Sequence, residues 1–265
     1  MADRVAWVTG ASRGVGRGIA VALGHAGWTV YVTARSTTAR TTSHLPGTID
    51  ATAAAVTAAG GTGIGISCDH ADDAAVASVA DRISARHARL DLLVNNAWGG
   101  YERLNAGAWA EWQAPFWEQP VELFDRMFTS GVRAHYVALV VSAPLLIAAP
   151  GSLVVTTSVS VPSADQEQFG AAYVTAKTAD DRLAAAAAIQ LRPHAVASVA
   201  IHPDWVRTEG VLQFADQVDL SASQSPEGVG RAVVALATDS DVLSLTGQVL
   251  TVTWLAERYG LDVKT

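Results

Sequence analysis

The chain has 265 residues, half of them hydrophobic and 16% charged, with a formal net charge of −7 and a pI near 5.4. That composition suits a large buried core and excludes a basic nucleic-acid binder or a protein drawn to anionic membranes. Cys68 is the only cysteine, so no intrachain disulfide forms, and a reducing, cytoplasmic setting is expected.

The N-terminus, MADRVAWVTG, carries an acid and runs straight into strand-like residues, unlike a secretory leader. Strands are predicted at 4–9, 28–34, 63–68, 91–96, 152–158, 195–201 and 248–253. Helices are predicted near 15–26, 48–59, 73–87, 121–149, 172–192 and 226–237. Short, almost continuously apolar strands alternating with Ala-rich helices predict an α/β fold: a Rossmann-like, doubly wound parallel sheet of about seven strands, covered on both faces. No linker or internal repeat divides residues 1–265, so one domain is expected. The most apolar long stretch, 136–149, is shorter than a bilayer span and holds Pro144.

Two segments break the alternation. Residues 36–47 are polar, rich in Thr, and read as a loop. Residues 98–120 hold Trp98, Tyr101, Trp109, Trp112, Phe116 and Trp117, six of the 18 aromatics in the chain. A loop of that length in a compact fold is usually functional, and this one follows the fourth strand. Ligands in such sheets bind beyond the carboxyl ends of the strands. The aromatic loop, with Trp205, is therefore expected to line a pocket for a bulky apolar substrate or to staple the loop to the body. Residues 209–225 are a second candidate lid.

After the first strand comes TGASRGVGRGIA, with Gly10, Gly14 and Gly16 spaced T-G-x-x-x-G-x-G. Glycines let the backbone turn and approach a pyrophosphate, and the following helix offers free N–H groups and the positive end of its dipole. At the end of the second strand, where an acid would bond the ribose 2′-OH of NAD, stands Ala34, followed by Arg35. With Arg13 in the glycine loop, two guanidiniums and no carboxylate favour NADP(H) over NAD(H).

The chain has only two lysines, Lys177 and Lys264, against 16 arginines. Lys177 follows Tyr173 by four residues, on one helix face. An adjacent ammonium is expected to lower the phenol's pKa of about 10. Tyr173 then exchanges a proton with a substrate oxygen, and the Ser158 hydroxyl, at the end of the fifth strand, holds that oxygen.

TGASRGVG, CDHAD, NNA at 95–97, Ser158, YVTAK and PDWVRT together resemble the short-chain dehydrogenase/reductase family over nearly the whole chain. NNAWGG, FWEQP, SGVRAHYVA, LSLTGQVL and LAERYGL are similar to one subgroup of it with bacterial members. The resemblance implies an NADPH-dependent carbonyl reductase or alcohol dehydrogenase for hydrophobic ketones. It implies that Gly10, Ser12, Arg13, Val15 and Gly16 hold pyrophosphate and ribose, and that Arg35 meets the 2′-phosphate. It further implies Asp69 at the adenine, Asn96 at the adenosine ribose, and Val206 and Thr208 at the nicotinamide carboxamide. Tyr173 becomes the general acid–base, Lys177 its tuner and a ribose ligand, and Ser158 the third catalytic residue. Dimers or tetramers built on the 121–149 and 172–192 helices are implied too, as their apolar surfaces suggest.

Three positions depart from the family pattern. Gly131 stands where the resemblance implies a water-holding asparagine; glycine there is expected to leave room for a water on backbone carbonyls. Ser130 and His135 are neighbours able to assist, although His135 reads better as a packed or surface histidine. Asp204 replaces the glycine after Pro203, where a left-handed turn and a carboxylate near the nicotinamide are expected. Ser160 lies closer than Ser158 to the family's serine–tyrosine spacing, and the strand-end position favours Ser158. Gly131 and Asp204 also motivate an alternative: a catalytically silent NADP-binding sensor or scaffold.

Overall fold

The computed structural model describes residues 4–101, 114–159, 166–217 and 219–265. Seven strands form one parallel sheet: β1 (Val5–Thr9), β2 (Thr29–Ala34), β3 (Thr62–Ser67), β4 (Leu92–Asn95), β5 (Leu153–Thr157), β6 (Ala197–His202) and β7 (Val249–Thr251). Their order is β3-β2-β1-β4-β5-β6-β7, with Ala6 opposite both Val30 and Leu92. Every residue of β1, β2, β4, β5 and β6 is buried, which is why these runs read as continuously apolar.

Alternate residues feed two cores, as the two-residue period of a strand requires. Ala6, Val8, Val30 and Val32 pack with α1 (Gly14–His25), α2 (Ile49–Ala58), α7 (Pro226–Thr238) and α8 (Val252–Tyr259). Val5, Trp7, Tyr31 and Leu93 pack with α3 (Asp73–His87), α5 (Ala134–Ile147) and α6 (Gln166–Leu191).

Three predicted elements are corrected. The 121–149 helix comprises α4 (Val121–Met127), a π-helical turn at Phe128–Arg133, and α5. α6 begins before residue 172 and is interrupted at Gly170, whose φ of 68° is non-helical; Tyr173 and Lys177 lie in its regular part. The last predicted strand shortens to β7, because the Thr251 hydroxyl accepts from Trp254 N–H and caps α8. By length and composition Val121–Ile147 is apolar enough to cross a membrane. In this fold Ala138, Leu139, Leu145 and Leu146 bury against the sheet and α3.

Candidate active site

The strand order reverses between β1, β2 and β4, which opens a crevice at their carboxyl ends. Thr9, the last residue of β1, fastens the glycine loop there. Its hydroxyl donates to Val94 O (3.1 Å) and accepts from the amides of Asn96 (2.8 Å) and Ala97 (2.9 Å). The Asn96 side-chain amide in turn donates to Thr9 O and Gly10 O. A Cβ on Gly10 would stand 2.7 Å from Ala97 Cα, and one on Gly16 would stand 2.5 Å from Asn96 Nδ2. Only glycine permits this closeness. Asn96 thus commits its amide to holding the loop against β4.

Helices α2, α3 and α7 carry side-chain caps from Thr48, Asp72 and Ser225. α1 has none. Instead the Glu209 carboxylate, from the loop after β6, accepts from Gly14 N–H at 2.9 Å. An anion supplied by the chain itself therefore sits at the first turn of α1, where unpaired N–H groups and the helix dipole favour negative charge.

A cavity of about 860 Å³ runs from this point along the crevice. Gly10, Ser12, Arg13, Val15 and Asn96 line it at the glycine loop, Arg35 and Asp69 at the ends of β2 and β3. Ser158, Tyr173, Lys177, Val206 and Thr208 line the far part. Gly16 is buried beneath the loop, against Asn96. Arg13 is held by Pro46 O, Ser36 Oγ and Gly47 O. Its pKa is lowered by burial, raised by Glu209 and lowered again by the nearby charge of Arg35. Asp69 is exposed and accepts from Ala71 N–H. Cys68 is buried and its thiol is pushed up to about 12, chiefly by burial, so it is inert.

Tyr173 is 7% exposed. Its hydroxyl accepts from that of Tyr101 at 3.0 Å, and its ring lies edge-on to Trp98 at 5.8 Å. Burial pushes the phenol up to about 12, against the opposing bond from Tyr101. This corrects the expectation of a lowered pKa. The Lys177 ammonium stacks on Trp98 (3.5 Å to the ring centroid), donates to Thr157 O (3.3 Å) and faces Asp180 (3.5 Å). Burial lowers the Lys177 pKa, and Asp180 opposes that. The Ser158 hydroxyl donates to Lys177 O at 2.9 Å, tying β5 to α6. Ser160 lies outside the described residues.

The expected water space at Gly131 is also corrected: a Cβ there would stand 2.6 Å from Trp98 Cζ3, so the indole fills it. His135 is packed, not at the surface, being 1% exposed and bonded to Asp180. Asp204 is not left-handed. Its carboxylate accepts from Gln224 Nε2 (2.9 Å) and Thr253 Oγ1 (2.7 Å), anchoring the loop after β6 to α8. Of the aromatic loop, Trp98 and Tyr101 line the cavity with Trp205, Val211 and Phe214. Phe116 and Trp117 are exposed, and Trp109 and Trp112 lie outside the described residues. Residues 209–217 and 219–225 include both Glu209 and the lining Phe214. Reasoning from sequence missed the bond from Tyr101 to Tyr173, the Glu209 cap of α1 and the pairing of Asp180 with His135; each joins residues far apart in sequence.

The glycine loop and an anion-taking helix end fit a dinucleotide, and the Tyr–Lys pair shares their cavity. The protein is an NAD(P)-dependent oxidoreductase. A family model for short chain dehydrogenases matches residues 4–218, and the chain belongs to that family. It is 39% identical over 275 residues to dehydrogenase/reductase SDR family member 1 of Mus musculus, covering 98% of this chain and 83% of that protein. A putative dehydrogenase from Xanthomonas campestris superposes with a TM-score of 0.82 at 27% identity, over 97% of this chain and 90% of that one. A metagenomic short-chain oxidoreductase in complex with NADP gives a TM-score of 0.71 at 30% identity, over 94% and 96% of the two chains.

Proposed function

We propose that the protein is an NADPH-dependent carbonyl reductase and alcohol dehydrogenase acting on a hydrophobic ketone or secondary alcohol. The observation that carries this reading is the buried, protonated Tyr173 in an aromatic part of the same cavity that begins at the glycine loop. A bound nicotinamide supplies the hydride in reduction and accepts it in oxidation.

Tyr173 gives its phenolic proton to the oxygen of the reduced carbonyl. Tyr101 already donates to Tyr173, so the Tyr173 proton is the one left to transfer, and the same donor steadies the phenolate that results. Lys177, one turn on, supplies positive charge to that phenolate. The Ser158 hydroxyl keeps lone pairs for the substrate alcohol while its proton fixes α6 to β5. Such proton transfer is worth about 10²–10⁴ in rate. Trp98, Tyr101, Trp205, Val211 and Phe214 give the cavity apolar walls, which suit a bulky hydrophobic substrate.

The preference for NADPH rests on Arg13 and Arg35. Both line the cavity, and at the end of β2 the sequence places Ala34 and Arg35 rather than an acid, so two guanidiniums suit a 2′-phosphate. Ser12 and Val15 line the loop side. Val206, held by its bridge to Gln224, and Thr208 face the nicotinamide end.

The test is oxidation of NADPH and of NADH by the purified protein against bulky ketones, quinones and keto-steroids, with Tyr173→Phe as control. Turnover with NADPH, lost in Tyr173→Phe while NADPH binding persists, is expected. Equal turnover with NADH sinks the cofactor preference, and an active Tyr173→Phe sinks the role of Tyr173.

A further inference from the structure

Behind Lys177 lies a buried ionisable cluster that the reaction just described does not use. Asp180, on the next turn of α6, is 0% exposed. Its Oδ2 lies 3.5 Å from Lys177 Nζ, and its Oδ1 lies 2.8 Å from His135 Nδ1 on α5. His135 Nε2 lies 2.8 Å from Ala97 O, one residue before Trp98. A backbone carbonyl only accepts, so Nε2 carries a hydrogen. The contact between Nδ1 and the carboxylate then requires one further proton, on the imidazole or on the acid.

Removing two such groups from water is costly unless each is paired. Here every partner leads to Lys177. Burial pushes the Asp180 carboxyl up, but His135 and Lys177 outweigh it and hold it below the carboxylate range. The Trp98 ring, seated on Gly131, which contributes no side chain, also covers the ammonium. Polar support for the ammonium comes from Thr157 O and from Asp180.

We propose that Asp180 and His135 are positioning residues that keep the Lys177 ammonium charged and aimed in its dry, indole-covered seat. His135, fixed by Ala97 O, orients Asp180; Asp180 holds Lys177; Lys177 serves Tyr173. The inference rests on the reading that Tyr173 and Lys177 carry turnover. Among the described residues, the other groups facing the cluster include Tyr173 and Asp181 on α6, Tyr101 after β4, and His70 after β3, which feels the charge of His135. His202 of β6 faces it only through Asp181, whose Oδ1 it meets at 2.7 Å. Asp180 is the one carboxylate among them within 4 Å of Lys177 Nζ. Removing its charge makes Lys177 lose its proton at lower pH. Replacing His135 acts in the same direction, because Asp180 then loses the partner that keeps it ionised.

The experiment uses the presence of only two lysines. The protein is labelled with ¹³C at the lysine ε-carbon and titrated by NMR as wild type, Asp180→Asn and His135→Gln. Lys264, beside the C-terminus, is the internal reference. Alcohol oxidation with NADP is followed over the same pH range. In Asp180→Asn the Lys177 signal is expected to titrate about one pH unit or more below wild type. The alkaline limb of kcat should move with it, while KM and nucleotide affinity stay within about twofold. His135→Gln should show a smaller shift of the same sign, and it carries the test alone if Asp180→Asn does not fold. An unmoved Lys177 titration in a folded variant overturns the proposal and leaves the pair a packing feature, whatever happens to thermal stability. Turnover surviving in Tyr173→Phe would instead refute the reading of the active site, and the lysine titration would still stand as measured.

Discussion

Gly131→Ala tests whether the absent side chain at this position is a gap or a seat. The new Cβ would stand 2.6 Å from Trp98 Cζ3 and 2.7 Å from Cε3, inside any tolerable carbon–carbon contact. The indole cannot simply swing aside: the Lys177 ammonium sits 3.5 Å from its centroid, and the rings of Tyr173 and Tyr101 stand 5.8 and 6.2 Å away. Two opposed terms set the stability. Alanine gains about 1 kcal/mol over glycine in a helix, and overpacking costs about 1–3 kcal/mol. The net runs from near zero to a loss of about 2 kcal/mol.

Catalysis should suffer more visibly than stability. A desolvated cation–π contact is worth about 2 kcal/mol, and losing half of it or more slows kcat by about five- to thirtyfold. Urea unfolding and steady-state kinetics on Gly131→Ala measure the two effects. Trp98→Leu, alone and combined with Gly131→Ala, completes a cycle whose coupling should reach about 1 kcal/mol. A variant about 1 kcal/mol more stable than wild type, with kcat within twofold, refutes the seat.

Two further outcomes follow from buried and exposed groups. His70 is buried against Thr33 and its pKa is lowered from 6.5 to about 4, mainly by burial. A depressed folded-state value means stability is intact above pH 6.5 and lost as pH falls towards 4, by about 3 kcal/mol. Urea melts at pH 7.5 and 5 should show about 2 kcal/mol of this in wild type and less in His70→Gln; parallel curves would refute it. On the outer faces of α5 and α6, Val140 is 55% and Ile189 77% exposed. If these faces join subunits, Val140→Glu and Ile189→Glu should each lower the mass seen by light scattering, and a monomeric wild type would remove the basis for the expectation.

The sheet was legible because its signals are local. Strands buried on both faces read as apolar runs, and α3 starts and stops where Asp72 caps it and Ala88 turns left-handed. The glycine loop was legible because a turn, a close approach and a helix start fall within eight residues. The end of β7 was misread because Val and Thr serve strand and cap alike, and only the bond from Trp254 N–H to the Thr251 hydroxyl separates the two. The site's polar logic was legible only in part. An acid three residues after Lys177 carries no signal until α5 brings His135, 45 residues away in sequence, against it.

The same limit explains the direction of the Tyr173 shift. Reading Lys177 as a neighbour on one helix face gave the sign of a charge effect, but not the rings of Trp98 and Tyr101 that exclude water from the phenol. Desolvation then raises the pKa, the buried Asp180 charge adds to the rise, and only the bond from Tyr101 opposes it. On the proposed reading the consequence is chemical: a phenol held protonated is an acid ready for a carbonyl oxygen, whereas alcohol oxidation must first remove that proton. The two unexpected residues point the same way. Gly131 is explained by the indole that dries the site, and Asp204 by the bonds that anchor its loop to α8. Neither requires that catalysis was lost.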